Sequence, residues 1–193
     1  MRVLKFIVGL FILAHVVNFL AGGRTVAEPR EIDPSRITPP GTELRLGEEA
    51  YVPMRFTYHG RERDGIVAIT VTAIEPGDQD LFDSEVENAT GYAPYYVRAT
   101  VENVSDEDLG DAVIGSLGVV RDGAAPDAVL FDPNFLDPGM GDCRTNGFPS
   151  RAGIGTIIET CDVDVMHRSR TPDAARWQRY GTPYQSEPII WRS

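Results

Sequence analysis

The sequence predicts an all-β protein built as an antiparallel β-sandwich. Three observations predict it. Short segments alternate apolar and polar residues at the strand period, turn residues punctuate them, and no stretch carries a good amphipathic helical period. Ahead of the sandwich stand a signal or anchor helix over residues 1–27 and a Pro-rich linker over 28–43, which leaves 44–193 for the domain.

The first part reads as an address. Met1, Arg2 and Lys5 start it with positive charge, an apolar run spans Phe6 to Leu20, and Ala21-Gly22-Gly23-Arg24-Thr25-Val26-Ala27 forms a small-residue exit. That is the layout of an export signal. Thr25 and Ala27 occupy the −3 and −1 positions of a cleavage site ahead of Glu28, which favours a removed signal. Residues 6–23 number 18 and hold no charge, the bottom of the range for a spanning helix. An uncleaved single anchor is therefore the alternative, with a buried core helix third. His15 and Asn18 weaken a permanent span. Leu20-Ala21-Gly22 starts like a lipobox, but position 23 is Gly and offers no thiol to lipidate. Cleaved or anchored, the remainder is expected outside the cytoplasm, secreted or at the cell surface, meeting membrane only through residues 6–23.

The linker from Glu28 to Gly41 sets Pro29, Pro34, Pro39 and Pro40 among charges, with only Ile32 and Ile37 to bury, so it reads as a mobile tether. Structure is expected from about Leu44. Gly65 to Ile74 then alternates, with Val67, Ile69, Val71 and Ala73 on one face and Thr70 and Thr72 on the other. Tyr95 to Val104 repeats the pattern: Val97, Ala99 and Val101 point inward, Arg98, Thr100 and Glu102 outward. Further strands are expected at Ala50–Tyr58, Ile114–Arg121, Ala128–Phe131, Gly155–Val165 and Pro188–Trp191. Turn signals separate them: Glu75-Pro76-Gly77-Asp78, Asn103-Val104-Ser105-Asp106, Arg121-Asp122-Gly123 and Asp137-Pro138-Gly139. Only Thr171 to Arg179 suggests a helix, with Thr171 as N-cap and Pro172 at the first helical position.

Composition bounds the partners. The chain carries a net charge of −11, and Lys5 is its only lysine beside 17 arginines, a bias that reads as GC-rich coding in a bacterial source. Loss of residues 1–27 would remove Arg2, Lys5 and Arg24 and no acid, leaving 15 basic and 29 acidic residues, a net charge of −14. Such a body repels nucleic acid and anionic membrane surfaces, so no nucleic-acid partner is expected. The two cysteines, Cys143 and Cys161, lie 18 positions apart, and an isolated pair in an oxidising compartment forms a disulfide. A metal pair lacks further ligands, since His59 and His167 are the only imidazoles outside the leader.

The strand Tyr96-Val97-Arg98-Ala99-Thr100-Val101-Glu102-Asn103, followed by Ser105-Asp106-Glu107, resembles the telokin-like, immunoglobulin-related domains of secreted actinobacterial proteins. The first strand of that pattern corresponds to Gly65–Ile74 and its long polar loop to Glu75–Gly91. Asp122-Gly123, Asp137-Pro138-Gly139, Cys161 and Trp191 match its later turns and strands, so the resemblance covers roughly Leu44 to Trp191. It implies an immunoglobulin-like sandwich acting outside the cytoplasm, with no shared catalytic residues.

Chemistry-bearing motifs are sparse. Ile114-Gly115-Ser116-Leu117-Gly118 resembles a nucleophile elbow but has Ile where that motif needs Gly, so Ser116 reads as a turn or strand residue. His59 and His167 belong to no metal-spacing motif and read as exposed histidines. Gly139-Met140-Gly141 lacks the Gly and Lys of a phosphate loop. Candidate cation ligands are Asp78, Asp80 and Asp83, with Glu85 and Glu87 behind them, and a second set at Asp132, Asp137 and Asp142; solvated acidic loops are the plainer reading of both. Candidate binding aromatics are Tyr92, Tyr95 and Tyr96, and a second cluster of Trp177, Tyr180 and Tyr184. Their plainer role is to fill the core or cover a sheet end. The sequons Asn88-Ala89-Thr90 and Asn103-Val104-Ser105 carry no weight in a bacterial chain.

Three functions follow in order. The first is a non-catalytic extracytoplasmic immunoglobulin-like module that binds a protein or envelope component. The second is a calcium- or carbohydrate-binding module, and the third a hydrolase whose residues meet only in space. No cofactor and no catalytic residue is expected.

Overall fold

The computed structural model describes residues 36–58, 60–86, 89–114, 117–120 and 139–193. The leader, most of the linker, the segment Ala128–Phe131, the turn at Arg121-Asp122-Gly123, most of Asp137-Pro138-Gly139, and Ser116, His59, Glu87, Asn88, Asp132 and Asp137 lie outside them.

Two four-stranded sheets pack face to face as a β-sandwich. The first is made of long strands with apolar residues at alternate positions, the pattern that suits a half-buried pleated surface. It runs in the order β2 (Glu49–Tyr58), β3 (Arg61–Pro76), β4 (Tyr92–Asn103), β8 (Ile157–His167), antiparallel throughout. The second orders β1 (Glu43–Arg45), β10 (Ile189–Arg192), β9 (Ala174–Trp177) and β5 (Leu117–Val120), with β1 parallel to β10 and the other pairs antiparallel. Three successive strands share the first sheet, whereas the immunoglobulin order sends its third strand across to the opposite sheet.

Between the sheets lie Ala50, Val52, Val67, Ile69, Val71, Val97, Ala99 and Val101 from one side and Val119, Ala175, Trp177, Ile189 and Trp191 from the other. Each fully buried valine or isoleucine contributes about 1.5–3 kcal/mol relative to exposure. Trp191, wholly buried, satisfies its indole by donating to the Glu48 carbonyl at 2.9 Å. A second, smaller core lies on the outer face of the first sheet, where helix α1 (Gln79–Glu85) and the tiny hairpin β6 (Gly139–Met140) and β7 (Cys143–Arg144) cover Tyr96 and Val165 with Phe82 and Met140.

Four expectations need correction. The run from Gly65 alternates as expected only to Val71; the register then shifts at Thr72, so Ala73 faces outward opposite Arg98 and Ile74 replaces it against the core. The segment expected as a helix from Thr171 holds β9 instead. Ala174, Ala175 and Trp177 are all buried, and pairing with β10 on one side and β5 on the other satisfies the backbone along its whole length. The acidic stretch after Pro76, expected as a loop, contains α1, whose N-cap Asp78 accepts from the Leu81 N–H at 3.0 Å. The end of the linker, residues 36–42, is docked rather than free. Thr38 exchanges two hydrogen bonds with the Tyr51 backbone, Tyr184 donates to the Thr38 carbonyl, and the Gly41 N–H donates to the Glu187 carbonyl.

Among the described residues, no strand lies beside the outer edge of β5. Two carboxylates from β8 take that place: Asp162 accepts from the Leu117 N–H at 3.1 Å and Asp164 from the Val119 N–H at 2.7 Å. Gly118 allows this approach, because a Cβ there would stand 2.5 Å from the Asp164 carboxylate oxygen. Asn103, which closes β4, is also wholly buried. Its amide donates to the Glu107 and Ala152 carbonyls at 2.8 and 2.6 Å, and its oxygen accepts from the Ser105 N–H and hydroxyl.

Candidate functional site

The candidate site follows from unequal strand lengths. β2 has ten residues while β9 and β5 have four each, so inward-facing positions of β2 continue past the ends of the strands opposite. A groove of ≈ 330 Å³ opens at that end of the sandwich. Val52, Met54, Phe56 and Val67 from β2 and β3 meet Ile114 and Trp177 across it. Val113 and Tyr180 lie on its rim, and they are two of the three large hydrophobic side chains exposed among the described residues, at 55% and 78%. Val113 is held there by an isolated bridge to Gly147, and Trp177 is braced from behind by Tyr184, edge to face at 5.0 Å.

Two arginines complete the lining, and their surroundings differ. Arg55 is paired with Asp64 at 2.7 Å, which raises its pKa through that hydrogen bond and the adjoining charge. Arg179 donates to the Arg55 backbone carbonyl and forms no ion pair with a carboxylate among the described residues. Burial lowers its pKa, the Arg55 charge adds to that, and Asp64 opposes it.

A second groove, of ≈ 380 Å³, lies on the outer face of the first sheet beside the disulfide. Its walls are polar and already matched. Arg98 bonds Glu75 at 2.8 Å and Asp142 at 3.0 Å, while Asn146 bonds the Thr160 hydroxyl and the Glu159 carbonyl. These contacts seat the β6–β7 hairpin on β8. The Cys143–Cys161 disulfide fixes the same seam, with the two Cα atoms 5.1 Å apart.

The expected candidate residues are dispersed. Asp78 caps α1, Asp83 accepts through both oxygens from the Nη2 of Arg168 and through one of them from Gln79, and Asp80 is exposed in the first turn of α1. Arg168 and then Gln79 hold the Asp83 carboxyl below its ordinary range. No three carboxylates, imidazoles or thiols among the described residues are placed to share a metal ion. Tyr95 faces the main core and Tyr96 the outer one, so the alternation of β4 separates neighbours that the sequence puts side by side. Tyr96 is buried, and Tyr92 is half-buried beneath His167 in an edge contact at 5.7 Å. The Nδ1 of His167 accepts from the Ser169 backbone N–H two residues on and lies 2.8 Å from the Ser169 hydroxyl, a local turn. The second aromatic cluster fares differently. Trp177 and Tyr180 do meet at the groove, with Tyr184 behind them. The residues that sequence reading missed are Met54, Phe56, Val113 and Arg179, which come from three separated stretches of chain.

No protein-family model matches this chain, and no curated protein or solved structure matches it.

Proposed function

We propose that the chain is an extracytoplasmic, non-catalytic binding module, immunoglobulin-like in having two packed sheets though not in strand order, and that it engages a protein or envelope component through the end groove. One observation carries this reading: Val113 and Tyr180 are exposed together beside an apolar hollow, and among the described residues Ile157 alone joins them as an exposed large hydrophobic side chain. The charged leader start, the apolar run and the small-residue exit support the location, and the resemblance to secreted telokin-like domains supports both location and role.

The test is photo-crosslinking in living cells. A crosslinking residue placed at Val113 or at Tyr180 is expected to give a discrete adduct outside the cytoplasm, and one at Asp80, exposed on α1, is expected to give none. Equal labelling from all three positions, or activity of a cytoplasm-only reporter fused after Ser193, would refute the reading.

A further inference from the structure

We infer that the end groove binds a medium-chain carboxylate, its apolar tail lying along Met54, Phe56 and Trp177 and its anionic head meeting Arg179. This rests on the chain being a binding module and adds the chemistry of the ligand. A volume of ≈ 330 Å³ lies at the lower end of small-molecule sites, so the hollow suits a tail of modest length rather than a long one. The apolar side chains of both sheets line it, and they favour a saturated chain over a sugar or a polar peptide.

The head group follows from the two arginines. Arg55 already faces Asp64, so its charge is compensated. Arg179 spends one N–H on a backbone carbonyl, and no carboxylate among the described residues pairs with it. A planar carboxylate suits the guanidinium fork and would neutralise a partly buried cation. The charge of the whole molecule sharpens the choice. At a net −11 it repels polyanions, so an anion is retained only when it is singly charged and brings apolar surface to bury. The exposed rim of Val113 and Tyr180 is the surface that such a tail would cover.

Octanoate and octanol, matched in length and differing in the head, are the probes, titrated against the full chain. Trp177, though buried, lines the groove and Trp191 does not, so a change in tryptophan fluorescence reports filling and calorimetry gives the stoichiometry. One octanoate per chain is expected. Arg179→Gln should weaken it about tenfold, Arg179→Lys should recover most of that loss, and octanol should bind all three chains alike. Val113→Asp, which adds a carboxylate at the exposed rim without touching the core, should also weaken octanoate. Octanoate affinity unchanged in Arg179→Gln and in Val113→Asp overturns the assignment, as does octanol binding as tightly as octanoate. Failure of both probes to bind a chain folded by circular dichroism removes the ligand class. The crosslinks from Val113 and Tyr180 in cells would then still decide the binding-module reading separately.

Discussion

At the scale of single residues, buried polar groups decide more than the acidic surface does. Asn103 ends a strand, satisfies two carbonyls and accepts two bonds from Ser105, all without exposure to water. Asn103→Ala would strand these partners, at a cost of about 2–4 kcal/mol. The urea midpoint should fall with an unchanged slope; a loss under about 0.5 kcal/mol would show the bonds to be dispensable. Asp164 sets a pH dependence. Its side chain is 19% exposed, and burial pushes the carboxyl above the ordinary range, against the pull of Arg176 and the N–H groups of Val119 and Val165. The folded state therefore takes up this proton at a higher pH than the unfolded chain does. Stability from this group is full below the unfolded value and is lost as pH rises through the folded one. Glu43 and Asp83, held low by Arg192 and Arg168, act in the opposite sense: their contribution is present above the ordinary value and lost as pH falls through the lowered one. Asp164→Asn should therefore reduce the loss of stability as pH rises above the ordinary carboxylate range, measured by urea midpoints across that rise. An unaltered pH profile would count against a raised Asp164.

At the scale of elements, the long hairpin strands were legible because each writes its burial as a local alternation. Tyr95 to Asn103 needs no partner in view to be recognised as a strand. β9 shows the limit. Four residues, two of them alanines after a Thr-Pro start, fit a helix opening better than a strand, and only the flanking strands override that preference. The two assignments give opposite substitution patterns. Thr171→Ala removes no cap in the observed structure and should change stability by less than about 0.5 kcal/mol. Ala174→Pro, tolerable in the first turn of a helix, should cost about 3 kcal/mol or more inside a strand paired on both sides. Thermal midpoints of the two variants check both statements. For α1 the signal was present: Asp78, Phe82 and Val86 follow one another at intervals of four, a cap and an apolar helical face. The density of acids around them masked it.

For the whole molecule, the two cysteines were readable by counting, and the structure joins them across the outer seam. Closing a span of 18 residues stabilises by about 3 kcal/mol in the chain-entropy model. A reductant should lower the urea midpoint of the natural chain accordingly and leave that of a Cys143→Ser, Cys161→Ser double variant unmoved. Equal effects on both would show that the bond contributes nothing. The groove could not be read in the same way. Met54, Val113 and Arg179 have no spacing in common and no motif to announce them; they meet only because a ten-residue strand faces four-residue ones. Sequence periodicity reports which face of a strand is buried, and it is silent on where two sheets of unequal length stop covering each other.

The second sheet has one more consequence, which concerns time rather than stability. Its interior strand β10, flanked by β1 and β9, is also the last strand in chain order, and its register joins Glu43 to Ile190. A ribosome delivers Glu43 early and Ile190 late, so throughout synthesis the half-made sheet has a gap at its centre. The first sheet's β2–β3–β4 meander can zip as it emerges, but the sandwich closes only once the final strand arrives.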